Sequence, residues 1–132
     1  IFSVEHSAQK AAPVHRHRKA TFLQKNAENT DLPDKHFDLV TIMYAFHEAP
    51  KAGRDRILKE VRRLLKPGGA LVLVDISPDY QPNKSMLVGE PYVIDYLQNI
   101  QEEMATAPGF TRCTYEILIP GHVGVWRMAR SA

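Results

Sequence analysis

Two apolar runs with an amphipathic segment between them constrain this chain more than any other feature. Phe37-Asp38-Leu39-Val40-Thr41-Ile42-Met43 is nearly continuous in apolar residues, the pattern of a strand buried on both faces of a parallel sheet. Ala70 to Ile76 is a second run of this kind, with Asp75 near its end. From Arg54 to Lys66, the apolar residues Ile57, Val61, Leu64 and Leu65 repeat so as to share one helical face. Lys66-Pro67-Gly68-Gly69 follows: a cation at the negative helix end, a residue that cannot continue the helix, then glycines free to turn. Strand, helix and strand in this order predict an α/β sheet with helices on both faces.

The flanking sequence extends that pattern. Ile1 to Val4 reads as a strand closed by the carboxylate of Glu5, and Ser7 as the cap of a helix bent at Pro13. Thr21 to Gln24 reads as another strand, and Asn26 to Lys35 as a polar loop. After the loop from Ser77 to Gly89, Pro91 opens a helix in which Val93, Tyr96, Leu97, Ile100 and Met104 share a face. Cys113 to Ile119 and Val123 to Met128 read as an antiparallel hairpin joined by Pro120-Gly121-His122. With 132 residues, one domain over 1–132 is expected, its sheet mostly parallel with an antiparallel hairpin at the C-terminal end.

Composition narrows the function. Seventeen Lys and Arg against fifteen Asp and Glu leave a net charge of +2, which gives no case for nucleic acid. From His6 to Lys19 there are four cations, three histidines and no acid, a make-up that could suit phosphate or RNA but is more often a solvated helix surface. His15-Arg16-His17-Arg18 is not a metal motif, because histidines two apart do not share a helix face. The lone Cys113 excludes an internal disulfide and a thiolate metal cluster, and points to a reducing, cytoplasmic compartment. The longest strictly apolar run, Ala70 to Val74, is far below the ~20 residues of a membrane-spanning helix. Ile1 is not an initiator Met and no signal-peptide pattern follows it, so the sequence is expected to begin inside a longer chain.

In an open α/β sheet, ligands lie at the carboxyl ends of the strands. The residues there are Glu5, Asn26 with Ala27 and Glu28, Tyr44 to Glu48, and Asp75 to Ser77. A carboxylate such as Glu5 suits vicinal ribose hydroxyls, because an ionised acid only accepts hydrogen bonds. Asn26 carries a donor and an acceptor and suits either an adenine edge or a turn.

Ile1-Phe2-Ser3-Val4-Glu5, Asn26-Ala27-Glu28-Asn29-Thr30-Asp31-Leu32-Pro33, Phe37-Asp38-Leu39-Val40 and Leu64-Leu65-Lys66-Pro67-Gly68-Gly69-Ala70-Leu71-Val72-Leu73-Val74-Asp75 stand in one order. That order resembles class I S-adenosylmethionine-dependent methyltransferases of the small-molecule and quinone-biosynthesis type, most strongly from Asn26 to Asp75. The resemblance implies a Rossmann-like sheet, S-adenosylmethionine as cofactor and a small-molecule methyl acceptor. It implies Glu5 on the ribose, Asn26 at the adenine amino group with the Ala27 amide on a ring nitrogen, and Met43 to His47 along the methionine arm and acceptor pocket, Met43 and Tyr44 on the cofactor side. His47 is the candidate base or acceptor orienter, and the same position suits a hydrogen-bonded pocket-wall histidine. Tyr80, Tyr92 and Tyr96 could form a lid over the acceptor, with Tyr92 and Tyr96 binding it, or simply be core. Lys66 to Gly69 is structural, and Glu48 is a helix-start acid.

The family's Gly-rich loop, which follows its first strand, has no counterpart from Ile1 onward. A missing strand-loop-helix unit is on the order of 30 residues and would leave two strands without their common neighbour, exposing ladder groups. A further segment, a second polypeptide or a second copy of the chain is expected to fill that gap. Two other classes compete: a nicotinamide-dependent dehydrogenase, which also ends its second strand in an acid, and a non-catalytic methyltransferase-like binding module.

Overall fold

A computed structural model describes residues 20–132. Four strands form one sheet: β1 (Phe37–Met43), β2 (Leu65–Ile76), β3 (Phe110–Ile119) and β4 (Val123–Arg130), in the spatial order β1-β2-β4-β3. The β1–β2 pairing is parallel, and β4 runs antiparallel to both β2 and β3. Helices α1 (Lys51–Leu64), α2 (Lys84–Gly89) and α3 (Val93–Ala105) connect them, with a short 3-10 turn at Phe46–Glu48. The expected α/β architecture with a C-terminal hairpin is present. No helix among the described residues is long and apolar enough to cross a membrane.

The core follows from residue alternation. Leu71 and Leu73 of β2, and Trp126 and Met128 of β4, pack with Leu58 and Val61 of α1 and with Val93, Tyr96, Ile100 and Met104 of α3. Val40 and Ile42 of β1 lean on the same cluster, whereas Leu39 and Met43 are 53% and 59% exposed. The sequence pattern predicts a β1 buried on both faces, and the structure corrects this. Among the described residues nothing covers the face carrying Leu39, Thr41 and Met43, and β1 is an edge with β2 as its one neighbour.

Three further expectations are corrected. Thr21 to Gln24 is not a strand, since no described strand lies beside it to supply a ladder. Helix α1 begins at Lys51, where the Pro50 carbonyl accepts the Arg54 amide at 2.9 Å. It ends at Leu64, and Lys66 to Gly69 then bulge out of β2, since Phe37 faces Leu65 while Leu39 already faces Ala70. Gly69 is required there, because a Cβ would stand 2.9 Å from the Lys66 carbonyl oxygen. The loop from Ser77 to Gly89 also holds α2, capped by Asn83, whose Oδ1 accepts the Met86 amide at 2.9 Å.

Candidate active site

The carboxyl ends of β1 and β2 lie side by side, with Met43 opposite Val74. The chain turns sharply after β1: Tyr44 sits at φ 56°, a left-handed conformation rare for a bulky side chain, and its amide donates to Val74 O at 2.8 Å. This turn sends Phe46 and His47 back over the end of β2, where both are buried.

Asp75 is fully buried and organises the site. Its Oδ2 accepts the Phe46 amide at 2.9 Å and the His47 amide at 3.3 Å, while Oδ1 accepts the Ile76 amide at 2.7 Å. Oδ1 also lies 2.6 Å from His47 Nδ1. A carboxylate with this many donors is an acceptor only, so Nδ1 carries a proton and Nε2 is the ring nitrogen left to a second partner. Nε2 faces Glu90, whose Oε2 stands 3.4 Å away, buried and without a hydrogen bond. Burial of His47 disfavours its charged form, but the hydrogen bond from Nδ1 to Asp75 and the charges of Asp75, Glu90 and Glu48 outweigh it. The net shift is upward from the ordinary histidine range. Behind His47 the ring of Tyr96 makes an edge contact, with centroids 6.2 Å apart.

The sequence-predicted residues divide clearly. Glu5 lies outside the described residues. Asn26 is exposed, and its Oδ1 accepts the Glu28 amide at 2.9 Å, closing a small turn that brackets Ala27. Met43 and Tyr44, 59% and 46% exposed, sit at the β1 end beside His47. Tyr92 is exposed, whereas Tyr96 is in the core with its hydroxyl donating to Ile76 O at 2.8 Å. Tyr80 packs against His122 instead. The three tyrosines are thus not gathered into one lid. Sequence reasoning missed Glu90, because a single carboxylate in a loop carries no periodic or motif signal. It also read Asp75 only as one of the strand-end residues, when Asp75 is the acceptor on which the turn after β1 is built. One donor atom each from His47, Glu48 and Glu90 lie within 4.8 Å of one another. Glu48 is exposed, and clusters with exposed acids are common without a cation, so the group is described more simply as a histidine flanked by carboxylates.

A model of the methyltransferase domain family matches residues 3–73, more than half of the chain. The chain belongs to this family. Among relatives, this methyltransferase-domain chain is similar to the ubiquinone/menaquinone biosynthesis C-methyltransferase UbiE of Psychromonas ingrahamii, 29% identical over 81% of the chain and 52% of that protein. The chain therefore spans about half the length of that relative. In fold, it is similar to the [4+2]-cyclase SpnF, with a TM-score of 0.70 and 15% identity over 98% of this chain and 62% of that one. It is also similar to phosphoethanolamine N-methyltransferase 2 of Haemonchus contortus, solved with S-adenosyl-L-methionine, with a TM-score of 0.63 and 13% identity over 80% of this chain and 36% of that one. At these identities the two structures establish the shared fold, which hosts more than one chemistry.

Proposed function

We propose that the protein transfers a methyl group from S-adenosylmethionine to a small-molecule acceptor in a reducing, cytoplasmic compartment, and that residues 1–132 are one part of that catalytic domain. The observation that carries this reading is a buried, carboxylate-oriented histidine at the strand ends of a methyltransferase-family sheet. The residues present suit the cofactor: Met43 and Tyr44 offer exposed apolar surface at the end of β1, and the turn at Asn26 leaves its side-chain amide free to donate. Glu5, Asn26 and Ala27 are assigned to the nucleoside, and Met43 and Tyr44 to the methionine arm. Tyr92 is assigned to the acceptor, with Tyr96 forming the wall behind His47.

S-adenosylmethionine, when bound, supplies a methyl carbon activated by a sulfonium. The chain's own part is to align the acceptor, exclude water and manage one proton. Where the attacking atom of the acceptor carries a proton, His47 Nε2 would take it, and Asp75 would stabilise the imidazolium through Nδ1.

Calorimetry on the protein with S-adenosylmethionine and, separately, NAD tests the reading. Saturable binding of S-adenosylmethionine alone is expected, weakened about tenfold or more in Glu5→Ala and in Asn26→Ala by the loss of a hydrogen bond. Binding of NAD instead, or affinity for S-adenosylmethionine unchanged in both variants, overturns it.

A further inference from the structure

A cleft with a different lining reaches toward the opposite end of the sheet. Its volume is about 510 Å³, and it lies near the amino end of β1 and the C-terminal half of α1, some 20 Å along β1 from the site at His47, at ~3.3 Å per residue. Its acids are already engaged. Glu28 pairs with Arg56 at 2.8 Å, and Glu60 with Arg63 at 2.6 Å. Asp34 is bound by Arg63 as well. The hydrogen bonds from Arg63, helped by those from Thr30, outweigh burial and hold the Glu60 carboxyl down at about 2, so it stays charged and paired.

Four lining cations remain: Lys35, Lys59, Arg62 and Arg130. Among the described residues, no carboxylate lies within ion-pair distance of any of them. Arg130 is the telling one. It is more than nine-tenths buried, one guanidinium nitrogen donates to Leu65 O, and its Nε is buried without any hydrogen-bond partner. A guanidinium cannot discharge itself by losing a proton. A buried charge with an unmet donor is costly unless an anion meets it.

We propose that this cleft binds a phosphate-bearing small molecule, its phosphate held by the guanidinium of Arg130, with Lys35, Lys59 and Arg62 supplying the remaining positive charge. A dianion fits better than a carboxylate, because four unpaired cations exceed what one negative charge balances and a guanidinium meets phosphate oxygens in a fixed planar fork. The proposal does not rest on the methyl-transfer reading: Glu28 of the Asn26 loop borders the cleft, but none of the residues assigned to the cofactor or the acceptor lines it.

Inorganic phosphate is the probe, titrated into the protein by calorimetry with acetate as the monovalent control. Saturable phosphate binding is expected, at least tenfold tighter than acetate, and weakened at least tenfold in Arg130→Gln. Because that buried substitution can disturb folding, the double variant Lys35→Gln, Arg62→Gln is the companion. Its positions lie on the partly exposed rim, and the same loss is expected with an unchanged far-UV spectrum and melting temperature in the absence of phosphate. Three results overturn the proposal: no saturable binding by the parent protein, undiminished binding in the double variant, or competition between phosphate and S-adenosylmethionine.

Discussion

Replacing Asp75 with alanine tests the site and the fold together. The substitution removes the acceptor of three main-chain amides and one imidazole N–H, at 2.9, 3.3, 2.7 and 2.6 Å. Hydrogen bonds to a charged group are worth about 1.5–3 kcal/mol each, and a buried donor left unmet costs about 1–3 kcal/mol. Counting the three short bonds at the low end and neglecting the long one gives a loss of about 4–5 kcal/mol. A natural domain has only about 5–15 kcal/mol in total, so Asp75→Ala is expected to be barely folded at room temperature. Asp75→Asn keeps the shape and one acceptor oxygen, and should lose roughly half as much. If its amide group faces the imidazole, it donates to Nδ1 and forces the proton to Nε2, which nitrogen chemical shifts of His47 report directly. Urea unfolding followed by circular dichroism measures the stability term from the midpoint at constant slope. A loss below about 1 kcal/mol in Asp75→Ala refutes the reasoning, because the buried amides would then have found other partners at no cost.

Other outcomes follow from the same interactions. The folded-state pKa of His47 is raised above its unfolded value, so its stabilising contribution is complete below about pH 6.5 and is lost as pH rises through the folded value. Unfolding of the parent protein at pH 6 and pH 9 should show this loss and His47→Gln should not, while a parent profile as flat as the variant's contradicts the carboxylate clamp. Arg54 is fully buried between Glu103, with Nε to Oε2 at 2.9 Å, and Asp95, and also donates to Ala49 O at 2.7 Å. Arg54→Ala leaves two carboxylates facing each other and should cost about 3–5 kcal/mol, read as a lowered melting temperature. A Cβ on Gly124 would lie 2.5 Å from the Tyr115 ring, so Gly124→Ala should lose about 1–3 kcal/mol by overpacking, and Tyr115→Leu in the same background should restore part of it.

How much of this was legible in the sequence depended on whether the signal was local. The α1 and α3 faces, the β2 run and the hairpin are written in periodicities that neighbouring residues share, and their places differ from expectation by only a few residues. The failures have one cause. Thr21 to Gln24 has the composition of a strand and β1 that of a doubly covered one, but pairing and cover are decided by distant chain, which no local window reports. The site shows the same division. His47 was found because it follows an apolar run, and Glu90 was missed because its position opposite Nε2 depends on how the segment before α3 folds back.

The spatial order of the strands bears on how this protein is made. β4, the last of the described strands in sequence, lies between β2 and β3, and its partner in β2 for Trp126 is Leu73, more than fifty positions earlier. A ribosome therefore releases β2 long before this neighbour exists, and that edge of β2 must wait, unpaired, for β4 to be made. Folding should be slow for a domain of this size, and loss of even a few residues from β4 should undo the middle of the sheet rather than fray its margin.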